Sequence, residues 1–163
     1  MTIVLDAHGL TTLAAKRAYL EELRHRGEWP AIVPSVVLTE ALTGDHRRDY
    51  HENRLLRTCD VRPVDEVVAR TASALRTRVG GRRPPSAVDA IVVAMADAAG
   101  GAIVLTSDPG DLRALAGHAT NHVPVSRLEL AVCHYHRRLD DRRLSRHPQG
   151  TGQRRSVRPR PGR

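Results

Sequence analysis

The sequence is poor in the features that would tie it to an oxidising compartment, a membrane or a zinc cage. Only two cysteines occur among its 163 residues, Cys59 and Cys133, far apart and outside any Cys-x-x-Cys spacing. That excludes a disulfide scaffold and a thiolate zinc cage and predicts two ordinary reduced thiols. The run Cys133-His134-Tyr135-His136 has soft ligands, but its spacing fits no common closed zinc site and it lacks a fourth ligand. No stretch approaches the roughly 18 consecutive apolar residues of a membrane span. The opening Met-Thr-Ile-Val-Leu-Asp has no basic flank, long apolar stretch or small-residue cleavage site, which predicts a cytoplasmic protein. No internal repeat is visible. Apolar residues at 40% and charged residues at 27% match ordinary globular usage, and the length suits one compact domain with an appendage.

Charge is unevenly distributed. The formal net charge is +8, yet residues 1–136 hold basic and acidic side chains in equal number. The excess lies in residues 137–163, where ten arginines face only Asp140 and Asp141. This segment also carries Pro148, Pro159, Pro161 and three glycines, with few apolar residues after Leu144. Such a composition buries too little surface to offset ordering entropy, so the extension at 129–163 is expected to be disordered after about residue 145. Arginine-rich arms bind phosphate backbones by counterion release, without base specificity. Lys16 is the only lysine, so part of this richness reflects arginine usage throughout the chain.

The hydropathy pattern alternates between strand and helix. Residues 2–6 form a short β-branched apolar run ending in Asp6, and residues 11–26 have Leu13, Ala14, Tyr19, Leu20 and Leu23 at helical spacing before Gly27. After Pro34-Ser35 come a short helical segment Val36–Leu42 and a polar one from about Arg47 to Arg57. Val61–Val64 reads as a strand, followed by a helix capped by Asp65 and closed by Gly80-Gly81. Ser86 then caps a helix that is apolar on several sides, which predicts a central position for it. Ala102–Thr106 is a second buried strand, Asp108-Pro109 opens a helix to about Ala116, and His122–Ser126 is a last strand. The alternation predicts an α/β fold, with a mostly parallel central sheet flanked by helices in three layers, over residues 1–128.

Four acids sit where acids are inconvenient for stability. Asp6 ends a buried strand, at the edge where open α/β sheets place ligands; the bland alternative is a turn-forming Asp. Glu40 has mostly apolar neighbours on its short helix, so it is paired, neutral or metal-bound unless it faces solvent. Asp89 stands three residues after Ser86, the N3 position of a capping box. Asp108 reads equally well as an N-cap, with Asp111 as its N3 partner. Asp6 and Asp108 occupy the carboxyl ends of predicted strands, and the helices of Glu40 and Asp89 start near the same edge. Four carboxylates converging there repel one another strongly unless a cation joins them. Oxygen-only ligands suit Mg²⁺ or Mn²⁺.

Four segments carry these acids: Ile3-Val4-Leu5-Asp6-Ala7, Pro34 to Gly44 around Glu40, Ser86 to Ala94 around Asp89, and Leu105 to Leu112 around Asp108. In order and spacing they resemble the motifs of PIN-domain ribonucleases, most closely the VapC-type toxins of bacterial toxin–antitoxin pairs. The resemblance implies a PIN-like catalytic domain and a Mg²⁺- or Mn²⁺-dependent endoribonuclease whose metal-binding, catalytic acids are Asp6, Glu40, Asp89 and Asp108. It also implies an RNA substrate, homodimerisation and silencing by an antitoxin protein. His8 stands where the family usually has a small hydroxyl residue; with Arg82 and Arg83 it is a candidate for phosphate contact. Asp111 falls where many members carry a further acid. The competing reading is a non-catalytic PIN-like module that binds RNA or protein, with the acids serving as caps. A phosphatase or receiver-like domain fits less well, since the first strand lacks paired acids and no glycine-rich phosphate loop follows it.

Overall fold

The computed structural model describes residues 1–81 and 83–128. Five strands, β1 (Ile3–Leu5), β2 (Ile32–Pro34), β3 (Asp60–Arg62), β4 (Ile103–Thr106) and β5 (Val125–Arg127), form one sheet in the order β3-β2-β1-β4-β5. Every pairing is parallel. β1 and β4 pair Leu5 with Leu105, so the two chains leave the sheet side by side at Asp6 and Thr106. Ile3, Val4, Leu5, Val104 and Leu105 are buried, as expected for strands covered on both faces.

Helices cover both sides. α1 (Ala7–Ala15), α2 (Arg17–His25), α3 (Leu38–Ala41) and α4 (Tyr50–Leu56) pack in one layer, with α1 against β1 and β4. α5 (Glu66–Val79), α6 (Ala87–Ala98) and α7 (Gly110–Ala116) form the other. α6 lies across β1, β2 and β4 and against α5 and α7, with Ala90 and Val92 through Asp97 buried. That is the central position its apolar sequence predicted. Asp65 and Ser86 cap α5 and α6 as expected: Asp65 Oδ1 accepts the Val68 N–H at 2.8 Å, and Ser86 Oγ accepts those of Val88 and Asp89 at 3.1 and 3.3 Å. Gly100 and Gly101 end α6 at φ 79° and 87°, the left-handed region in which glycine pays no Cβ penalty. No helix among the described residues is long and apolar enough to cross a membrane.

Several boundaries differ from the sequence reading, each for a local reason. The single helix expected over 11–26 is two helices. It starts earlier because Asp6 caps Ala7, and it breaks at Lys16, whose backbone leaves the helical region at φ −113°, ψ 79°. The segment Val36–Leu42 is a 3₁₀ turn, Ser35–Val37, followed by the one-turn helix α3. β2 was not foreseen. It is three residues long and ends in Pro34, too short to show a period, and is held by register on both sides (Val4 with Ile32, Ile32 with Asp60). The polar helix begins at Tyr50 rather than Arg47 because Asp49 is drawn back into the preceding loop, accepting from the Thr43 N–H and hydroxyl and the Gly44 N–H. Arg82, the Cys133–His136 run and the extension at 129–163 lie outside the described residues.

Candidate functional site

The strand order reverses between β1 and β4: the chain moves outward one way through β2 and β3, then crosses over to β4 and β5. Open α/β sheets form a crevice at the carboxyl edge of such a switch point. Asp6 sits there, 3% exposed, with both carboxylate oxygens engaged. Oδ1 accepts the Gly9 N–H at 2.6 Å, which starts α1, and Oδ2 accepts the Thr106 hydroxyl at 2.6 Å. Burial pushes the Asp6 pKa above the ordinary carboxylate value; the bonds from Thr106 and Gly9 and the nearby His8 pull it back without cancelling the rise.

Asp89 lies in the first turn of α6, partly buried. Ser86 caps the helix alone, and among the described residues the Ser86 N–H donates no hydrogen bond to the Asp89 carboxylate. The reciprocal half of the capping box is therefore missing. The Asp89 pKa is pushed up to about 6, first by burial and then by the negative charges of Asp6, Glu40 and Asp111, with His8 opposing. Residues from α1, α3, α6 and α7 thus share one electrostatic field at the switch point.

The remaining candidates are placed less uniformly. Glu40 on α3 faces solvent, so burial alone does not force it to be paired, yet its charge reaches Asp89. Asp108 is exposed and is not the N-cap of α7: that place falls to Pro109, with no side-chain capping bond. Instead the Asp108 N–H donates to Thr106 Oγ1 at 2.9 Å, which ties the post-β4 turn to the residue that holds Asp6. Asp111, which the sequence allows equally as a further site acid or a cap, raises the Asp89 pKa by its charge, whereas Asp108 is not among the strongest charges there. His8 is exposed in the first turn of α1, and Arg83 is exposed in the loop before α6.

Two positions went unnoticed in the sequence. Thr106 is completely buried and bridges Asp6 to Asp108. Gly9 lets α1 approach β4: a Cβ there would overlap the Leu105 carbonyl oxygen and stand 2.9 Å from Asp6 Oδ1. The only available signal was the type of residue, a hydroxyl closing an apolar strand and a glycine early in a helix. Their meaning depends on a contact nearly one hundred residues away.

Hard oxygen donors whose negative charges act together on Asp89 fit a divalent cation such as Mg²⁺ or Mn²⁺ better than a soft metal. Among the described residues no three potential ligands are already gathered as a metal site. Repulsion between like charges favours such separation.

These features define a doubly wound, parallel α/β protein with a carboxylate site at its switch point. The sequence profile of the PIN domain matches residues 3–117, and the chain belongs to that family. Among solved structures, the fold is similar to that of DNA-bound VapBC from Salmonella typhimurium (12% identity, 78% of this chain and 98% of that one, TM-score 0.62). It is also similar to FitAcB from Neisseria gonorrhoeae (20% identity, 77% and 97% coverage, TM-score 0.56). PAE2754 from Pyrobaculum aerophilum is a third (19% identity, 84% and 99% coverage, TM-score 0.54). No curated protein sequence gives a significant match.

Proposed function

We propose that the protein is a VapC-type toxin, a metal-dependent endoribonuclease that hydrolyses RNA phosphodiester bonds. The observation that carries this reading is the buried Asp6 carboxylate, held by Gly9 and Thr106 at the switch point of a PIN domain, with Asp6, Glu40 and Asp111 acting electrostatically on Asp89. Likeness to the VapBC and FitAcB structures supports a small antitoxin protein as partner; a second copy of the chain is a further partner implied by the family resemblance alone.

Asp6, Asp89 and Asp108 would hold the cation, with Glu40 and Asp111 at its margin. When bound, a divalent cation neutralises charge on the scissile phosphate and acidifies a water at neutral pH. The residues of this chain supply position and proton handling. Thr106 and Gly9 fix the Asp6 carboxylate in one orientation, which limits the reorganisation needed during reaction. Glu40, exposed and ionisable, is suited to orienting the attacking water and taking its proton. His8 and Arg83, with Arg82, provide donors to non-bridging phosphate oxygens. The arginine-rich extension adds phosphate contacts that raise affinity without reading sequence.

Expression in a bacterial host tests the toxin reading. The chain should arrest growth, with specific RNAs cut, while Asp6→Asn at equal abundance should permit growth. Equal arrest by both would contradict it.

A further inference from the structure

Outside the acid site, the described surface holds a basic concavity of about 760 Å³ on the outer side of α4, lined by His46, Tyr50, Asn53, Arg54, Leu56 and Arg57. It has no acidic lining residue. Tyr50, Asn53, Arg54 and Arg57 recur at the three- and four-residue spacing that places side chains on one helix face, while Leu55 turns inward and is buried. Arg54 and Arg57 are exposed and enter no ion pair with a described residue, although the chain pairs arginines readily elsewhere: Arg26 with Glu22, Arg62 with Asp60 and Arg70 with Glu66. Tyr50 is 56% exposed, the most exposed aromatic ring among the described residues, and meets the His51 ring edge-on at 5.4 Å between centroids.

This face is also firmly placed. Asp49, 5% exposed, clamps the turn after α3 by accepting the Thr43 N–H at 3.0 Å, the Thr43 hydroxyl at 2.8 Å and the Gly44 N–H at 2.9 Å. Glu40 lies three residues before that clamp and Tyr50 directly after it. α4 in turn packs on α1, whose first turn is capped by Asp6. The concavity is thus joined to the acid site through two elements.

We propose that this α4 face is a binding track for the backbone and a stacked base of single-stranded RNA. The chemistry is specific to that class: unpaired guanidinium groups meet phosphates, an exposed ring offers a stacking platform, and Asn53 and His46 supply neutral hydrogen-bonding groups. A protein partner would have to desolvate two guanidinium groups that meet no carboxylate among the described residues. The proposal deepens the nuclease reading and rests on it, because α4 follows the Thr43–Asp49 turn after the Glu40 helix and packs on α1, which Asp6 caps.

The test is equilibrium binding of a labelled single-stranded RNA of about twelve nucleotides to the full chain in EDTA, across a salt series. The variants are Arg54→Gln/Arg57→Gln, Tyr50→Ala and Tyr50→Phe, all at exposed positions. The double variant should weaken binding by about tenfold or more at low salt and flatten the log–log salt slope by about 1.4, as expected for two lost phosphate contacts to a single strand. Tyr50→Ala should weaken binding at least about fivefold with the slope unchanged, and Tyr50→Phe should restore it. Wild-type affinity and slope in the double variant would overturn the proposal, as would absence of RNA binding by the native chain or loss of protein-partner binding alone. If binding falls as described but native protein with Mg²⁺ leaves the RNA uncut, the track stands and the nuclease reading fails.

Discussion

The Thr106 hydroxyl stands between two acids, donating to Asp6 Oδ2 and accepting the Asp108 N–H. Replacing it by valine keeps the shape but leaves a buried carboxylate oxygen without its donor. The expected cost is about 1–3 kcal/mol, read as a lower urea midpoint, with cleavage reduced about 10- to 100-fold. Thr106→Ser should retain most of both. Gly9 acts through space rather than charge. Gly9→Ala forces a methyl group into the Leu105 carbonyl, so α1 must shift from β4, and a loss of about 1–3 kcal/mol is expected in the same unfolding measurement. Cys59 is a contrast: burial pushes its thiol up to about 12, which disfavours the thiolate that reaction would need.

At the scale of elements, most of the frame was legible because buried strands and capped helices carry local signals. Asp65 and Ser86 announce α5 and α6, and the apolar run ending in Asp6 announces β1. β2 was hidden because three residues ending in a proline show no period, and only pairing with β1 and β3 makes them a strand. The acid site was legible as a list of carboxylates but not as an arrangement. Asp108 reads in sequence equally as a cap or a site acid, and the cap half of that reading fails because Pro109 takes the N-cap place and Thr106 organises the turn. Asp97 was not singled out at all. It ends α6 and accepts from the Thr120 N–H, the Asn121 N–H and the Asn121 amide at 2.8–2.9 Å, anchoring the loop into β5. Asp97→Ala should lower stability by about 2–4 kcal/mol in denaturant unfolding, and its leading effect should be loosened hydrogen exchange near β5.

For the whole molecule, two groups of buried acids act in opposite directions with pH. Burial raises Asp97, but bonds from Thr120 and Asn121 outweigh it and its pKa is lowered; Asp49 is lowered chiefly by the Thr43 N–H. Their stabilisation is present above the unfolded carboxylate pKa and is lost as pH falls through their folded values. Asp6 and Asp89 are raised, so their contribution is greatest in acid and is lost as pH rises, for Asp89 through about 6. In EDTA the melting temperature should therefore rise as pH is lowered from about 8 to about 5, then fall below about 4. Mg²⁺ should raise it at neutral pH, where the site acids are ionised. Asp89→Asn should melt higher than wild type in EDTA at about pH 8 and lose most of the Mg²⁺ response. A wild-type protein whose melting temperature falls on acidification from pH 8 would contradict this balance.

The central claim is that the carboxylates at the switch point make a metal-dependent ribonuclease. Its most direct test is incubation of purified full-length protein with a mixed cellular RNA pool, in Mg²⁺ or Mn²⁺ and in EDTA, beside Asp6→Asn. Discrete fragments that require both the cation and Asp6 are predicted. RNA that is bound but remains intact in every condition would contradict the claim and return these acids to structural roles in a non-catalytic binding module.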